Sequence, residues 1–233
     1  MRQCQSTEIQ GKCIAVLAVL AWNNRRTQRI IVETGAIPIV VEAMRQRESI
    51  RIQDKGSCLL SFLAENNLYN QDLVAQAGAI PVIVDGMRQY QSVLKIQESG
   101  CLALGNLAFD NLLNQSVIVD AGATPVVMQV MRQHGSIPEI QAIGWLALAN
   151  LAFRNLSNQD LVAEAGVIPS IVQPIRQHHP CPKIPVNGCR ALSDLPYMNP
   201  TTSLRKLVSS LSSFKAWADK DREPTSTQMA LAS

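Results

Sequence analysis

Apolar positions in this chain fall into segments with a helical beat, and the segments themselves recur. The stretch IQESGCLALGNLAFDN from Ile96 carries Ile96, Leu102, Leu104 and Leu107, a spacing that gives a wide buried helix face rather than strand alternation. IQDKGSCLLSFLAEN from Ile52 and IQAIGWLALANLAFRN from Ile140 repeat it, with worn copies from Ile9 and Ile184. A second string, GAIPIVVEAMRQ from Gly35, returns at Gly78, Gly122 and Gly166, at spacings of 43, 44 and 44 residues. A third, NQDLVAQA from Asn70, returns as NQSVIVDA from Asn114 and NQDLVAEA from Asn158. Three strings in register over four units mark an α-solenoid, in which each unit buries its apolar face only against its neighbours.

Each unit reads as three helices. Asn70, Asn114 and Asn158 stand where an N-cap is expected, offering side-chain oxygens to free backbone N–H groups. The short first helix then runs to Gly78, Gly122 and Gly166, which suit a left-handed C-terminal position. Pro38, Pro81, Pro125 and Pro169 are placed to open the second helix at its first position. Arg45, Arg88, Arg132 and Arg176 fall in its last turn, where a cation complements the helix dipole. Gly56, Gly100, Gly144 and Gly188 lie inside the third helix, where each costs about 1 kcal/mol against Ala. Close approach of a neighbour that leaves no room for a Cβ is the expected reason; a relic copied by duplication is the alternative.

These strings resemble armadillo repeats, whose pattern NxxxIVxAGAIPxLV, followed by a third helix ending ALxNLA, is matched nearly in full by residues 70–109 and 114–153. The resemblance extends over roughly residues 9–195. It implies an all-α, right-handed superhelix of about four repeats, with third helices lining a concave groove. The MRQ endings and IQxxGC openings are similar to arrays found in protist proteins and beside leucine-rich-repeat kinases. The solenoid is expected over 1–195, as a truncated unit 1–26 and repeats 27–69, 70–113, 114–157 and 158–195. A degenerate capping helix over 196–220 and a disordered tail over 221–233 should follow. At the other end Ile14, Val16, Leu17 and Leu20 continue a core-facing pattern with half its neighbours absent. Either the chain is a piece of a longer array, a partner or a second copy covers this end, or the helix over 9–22 acts as a cap.

Composition narrows the function. Of 233 residues 47% are hydrophobic but only 4% aromatic, which favours an aliphatic core between packed helices. The net charge of +3 is dispersed, without the basic concentration that nucleic-acid binding needs. No apolar run approaches the roughly 20 residues of a membrane span, and no signal peptide is evident, so a cytoplasmic protein is expected. Cys101 and Cys189 hold one repeat position two units apart, beyond the ~7 Å Cα limit for a disulfide, and read as free thiols. The three histidines have no nucleophile or carboxylate at a recurring spacing, and no phosphate-binding or zinc-protease motif occurs. HHPC at 178–181 lacks a second ligand pair and reads as a solvated loop. A non-enzymatic chain without cofactor or metal is expected.

What remains is binding. Armadillo proteins that take extended peptides carry a third-helix column of Asn for the peptide backbone, with a Trp four residues earlier. The Asn column here is Val19, Phe62, Asn106, Asn150 and Asp194, and the earlier position is Ala15, Cys58, Leu102, Leu146 and Arg190. Only Asn106 and Asn150 match, and Asp54, Glu65, Glu98 and Asp194 form no continuous acidic stripe, so a reader of basic peptides is disfavoured. Three residues after the Asn column stand Trp22, Glu65, Phe109, Phe153 and Tyr197. If these aromatics face the groove they are anchors for an apolar or amphipathic helix. The alternative is that they pack against the next unit's first helix. The reading is a protein-interaction scaffold that binds a protein or peptide through Asn106, Asn150, Asp194, Trp22, Phe109, Phe153 and Tyr197; a regulatory or positioning array severed from a larger enzyme such as a kinase is the alternative.

Overall fold

In the computed structural model residues 7–46 and 49–166 are described. Among them are eleven α-helices and no strand. They are α1 (Thr7–Ala21), α2 (Arg25–Glu33), α3 (Ala36–Arg45), α4 (Ile50–Ala64), α5 (Leu68–Gln76), α6 (Ala79–Gln89), α7 (Leu94–Ala108), α8 (Leu112–Asp120), α9 (Ala123–Gln133), α10 (Pro138–Ala152) and α11 (Leu156–Glu164). The triplets α2–α4, α5–α7 and α8–α10 are successive copies of one unit. Helix α1 repeats the third element and α11 the first. The expected capping helix, the tail, Pro169, Arg176, Gly188, Asp194 and Tyr197 lie outside the described residues.

The N-caps of the first helices are Asn24, Asn67, Asn111 and Asn155, whose side chains accept from the N–H three residues on at 3.1–3.2 Å. The expected caps Asn70, Asn114 and Asn158 instead lie inside these helices and are buried. Each donates from Nδ2 to the carbonyl of Leu63, Leu107 or Leu151 at 2.8–3.1 Å, within the last turn of the preceding third helix. Gly35, Gly78, Gly122 and Gly166 have φ between 69° and 83°, as the left-handed turn out of a helix requires. Pro38, Pro81 and Pro125 are the third residues of α3, α6 and α9, not the first. The first four N–H groups of a helix have no intrahelical partner, so Pro is accommodated there too. Arg45, Arg88 and Arg132 do occupy the last turns. Arg88 goes further, donating from Nη2 to the carbonyls of Ala121 and Gly122 in the next unit at 3.1 and 3.3 Å.

Second and third helices of a unit meet through Met and Gly. A Cβ at Gly56, Gly100 or Gly144 would lie 2.4–2.6 Å from the nearest atom of Met44, Met87 or Met131, respectively. The recurring glycines therefore make room for the methionine of the MRQ string, a side chain rather than a backbone. The IQ glutamines close the same junction. Gln53, Gln97 and Gln141 donate to the carbonyls of Met44, Met87 and Met131, which end the second helices. The most extensive helix–helix contacts run down the stack of third helices, α1 on α4, α4 on α7 and α7 on α10. The stack is close: a Cβ at Gly105 would lie 3.2 Å from the Cα of Ala147. Trp145 is only 2% exposed and belongs to the core. Val16 and Leu20 of α1 stay 57% and 50% exposed.

Gly100→Ala therefore sets a helix-propensity gain of about 1 kcal/mol against an overlap costing roughly 1–3 kcal/mol. Net destabilisation is expected in urea denaturation. With Met87→Ala also present the overlap is gone, and the same change should become neutral or stabilising. A penalty of equal size in both backgrounds would show that Met87 is not what the glycine accommodates.

Candidate functional site

The third helices expose one face of their stack, and the Asn column runs along it. Ala15, Cys58, Leu102 and Leu146 are each half-buried and form its floor. Beside them stand Val19, 73% exposed, and the half-buried Phe62, Asn106 and Asn150. The amides are already engaged on their donor side. Asn106 donates from Nδ2 to Ser61 Oγ at 2.9 Å and to the Ser61 carbonyl at 3.2 Å. Asn150 donates to the Gly105 carbonyl at 2.9 Å. Each bond crosses from one third helix to the preceding one, so these residues join units as well as facing outward. No donor among the described residues reaches either Oδ1.

The aromatic column sits where each third helix ends. Trp22 is 69% and Phe109 36% exposed, and Phe153 is half-buried beneath the guanidinium of Arg154, 4.9 Å from its ring centroid. The residues that follow, Asn23, Asn66, Asp110 and Arg154, all have φ of 49–54°. Asn and Asp visit this left-handed region readily. Arg does not, and Arg154 adds a 3.8 Å approach to Asp110 across the seam. Glu65 replaces an aromatic in the α4 unit and is exposed.

A feature absent from the expected site holds these columns in place. Gln71 and Gln115 sit on first helices and are completely buried. Gln71 donates from Nε2 to the carbonyls of Asn106 and Phe109 at 3.0 and 3.2 Å, and Gln115 to those of Asn150 and Phe153 at 2.9 and 3.0 Å. Their Oε1 atoms accept from Asn111 and Asn155, both at 3.1 Å. Each glutamine thus grips the end of its own unit's third helix, at the two residues expected from the sequence to meet a partner, while its Oε1 ties that unit to the N-cap Asn of the next. The recurring NQ pair was the available signal. A polar pair at the start of an amphipathic helix reads as surface and cap, so the latch was missed. Gln28 holds the same position but donates only to the Ala21 carbonyl, and its buried Oε1 has no partner.

Electrostatics on the open face are weak. Asp54 is 7% exposed and pairs with Lys55 at 2.9 Å; this contact holds the Lys55 ammonium above its ordinary range. Burial, with the Asp54 charge second, pushes the Cys58 thiol up to about 11, and burial alone pushes Cys101 to about 12. Neither thiol is a nucleophile at neutral pH. No cluster of three metal-ligating side chains occurs among the described residues, and no helix among them is long and apolar enough to cross a membrane.

Two outcomes follow. Gln115→Ala should destabilise the protein by roughly 2–3 kcal/mol, since it strips buried carbonyls and the Asn155 amide of partners. Gln28→Ala should cost distinctly less; equal losses in urea denaturation would contradict the latch. In native protein at pH 8, iodoacetamide should modify the exposed Cys13 quickly, Cys58 slowly and Cys101 only after unfolding, as read by peptide mass mapping.

No protein-family model matches the sequence, and no curated protein is similar to it. Solved structures are. A designed armadillo repeat protein superposes with a TM-score of 0.79 at 16% identity, covering 96% of this chain and 90% of that one. Another, solved in complex with the peptide (KR)4, gives 0.72 at 20% identity over 82% and 77% of the two chains. A third, from armadillo repeat proteins computationally designed for modular peptide recognition, gives 0.71 at 20% identity over 82% and 78%. At these identities the likeness is one of fold, and it makes this chain an all-helical, armadillo-like repeat solenoid.

Proposed function

We propose that this chain is a non-enzymatic protein-interaction scaffold that seats a partner segment on the open face of its third-helix stack. The observation that carries the proposal is the half-buried floor of Ala15, Cys58, Leu102 and Leu146, bordered by two amides whose Oδ1 acceptors are unengaged. Asn106 and Asn150 offer their Oδ1 acceptors to N–H donors of the partner, and Trp22, Phe109 and Phe153 anchor its apolar side chains. By repeat register Asp194 and Tyr197 continue the two columns. Solved proteins of this fold support the reading, since one is in complex with a peptide and another was designed for peptide recognition.

The partner differs in chemistry from the basic peptide (KR)4. Lysine or arginine side chains need acceptors, and here Asp54 is buried against Lys55 while Glu98 is half-buried. An apolar floor with aromatic edges suits an amphipathic helix, whose i, i+3 and i+4 anchors lie along the stack. The preformed face binds without reorganising, so little ordering entropy opposes association.

Peptides selected by phage display on the intact chain test this. Amphipathic sequences are expected, and Leu102→Lys/Leu146→Lys should weaken their binding at least about tenfold while the protein stays folded by circular dichroism, because both side chains are partly exposed. Selected peptides that bind this double variant as tightly as the parent would place the binding surface elsewhere.

A further inference from the structure

Three arginines on α2 stand outside the repeat. In the 43- and 44-residue register Arg25 aligns with Leu68, Leu112 and Leu156, and Arg26 with Tyr69, Leu113 and Ser157. Arg29 aligns with Asp72, Ser116 and Asp160. Duplication supplies no basic residue at any of these positions, so the cluster belongs to this one unit. Spacings of three and four residues bring Arg25, Arg26 and Arg29 together on one side of α2. With Val32 they line one wall of an 820 Å³ cleft between α2 and α5, and Tyr69 and Leu73 line the other.

Little inside the protein neutralises this wall. Arg25 Nη1 donates to the Asn66 carbonyl at 3.2 Å, a contact that positions the side chain but leaves its charge. Arg29 Nε lies 3.6 Å from Glu33, with both side chains largely exposed, and such a surface pair holds weakly. No ion pair among the described residues engages Arg26. Glu33 is the one acid lining the cleft, and the N-terminal ends of α2 and α5 add partial positive charge. Tyr69, in the first turn of α5, is 70% exposed, whereas the Asn70 and Gln71 that follow it are buried.

We infer that this cleft is a second docking site, which takes an extended acidic segment of a partner protein with alternating acidic and apolar residues. A single small anion would fill little of the volume and leave the apolar wall unused. Arg25 and Arg29 are separated by about 6 Å along the helix axis. Residues two apart in an extended peptide are separated by nearly the same distance, roughly 6.8 Å, and point the same way. Carboxylates on one side of such a segment meet successive guanidinium forks, which bind them in bidentate fashion. The residues between them point to the opposite wall, where Tyr69 and Leu73 receive apolar side chains. The site does not depend on the third-helix face, so the two proposals stand separately.

Fluorescence anisotropy of a labelled peptide of alternating Glu and Leu, titrated with the full chain, tests the assignment. Saturable binding is expected, falling as sodium chloride is raised, with at least about a tenfold loss in Arg26→Glu/Arg29→Glu. Leu102→Lys/Leu146→Lys should leave it unchanged, which separates this cleft from the third-helix face. If charge reversal disturbs folding by circular dichroism, Arg26→Gln/Arg29→Gln keeps the side-chain bulk and should still lose most of the binding. The assignment is overturned if the parent protein does not bind the peptide, or if the arginine variants bind it equally. It is also overturned if a Lys–Leu peptide binds as well. Displacement by inorganic phosphate or a DNA oligonucleotide at the same charge concentration would reduce the cleft to an unselective anion site and overturn it too.

Discussion

Every helix end that the solenoid buries carries carbonyls with no intrahelical partner, and the architecture depends on finding donors for them. The solution is a set of side-chain amides repeated once per unit. Gln53, Gln97 and Gln141 close the second helices, while Asn70, Asn114 and Asn158 close the third. Gln71 and Gln115 then tie the first helix of a unit to the end of its third. An unpaired buried carbonyl costs about 1–3 kcal/mol, so removing this set would outweigh much of a domain's net stability. Because the bonds of Asn70, Asn114 and Asn158, and those of Gln71 and Gln115 with Asn111 and Asn155, join adjacent units only, cohesion is a nearest-neighbour property, as a repeat array requires.

This use of amides turns the first helices inside out. Their hidden side is Asn, Gln and one aliphatic residue, such as Val74 or Ile118, whereas Leu68, Tyr69, Leu112 and Leu113 are left 52–79% exposed. The surface therefore carries apolar side chains along the edge where a third helix gives way to a first. The aromatic column lies on the same edge, and the arginine cleft of α2 and α5 opens beside it. Surface chemistry here is a consequence of how the interior satisfies its polar groups.

The Asn pair on the third helices serves packing and, in the proposed function, binding. Asn106 and Asn150 spend their donors on the preceding helix, which fixes each side chain in one orientation. Their acceptors are thereby fixed without the further entropy cost of ordering a free amide. A group that first serves packing can in this way be held ready for a partner, and the glutamine latches at Asn106, Phe109, Asn150 and Phe153 hold the backbone beneath it.

The period, the three-helix unit, the left-handed glycines and the closing arginines were all legible in the sequence. They are local matters, set by hydrophobic spacing and by the conformations that Gly and the helix dipole favour. The glycines of the third helices announced a close approach, but nothing local named Met44, Met87 and Met131 as the cause. Asn70, Asn114 and Asn158 misled for a related reason. An Asn near a helix start satisfies the local rule for a cap, and only the position of the preceding third helix makes it a buried donor. The latches of Gln71 and Gln115, spanning 35–38 residues, and the cleft between α2 and α5 were decided by tertiary structure alone. Hydrogen bonds between helices far apart in sequence depend on how those helices stack, and stacking is a property of whole faces that no single segment encodes.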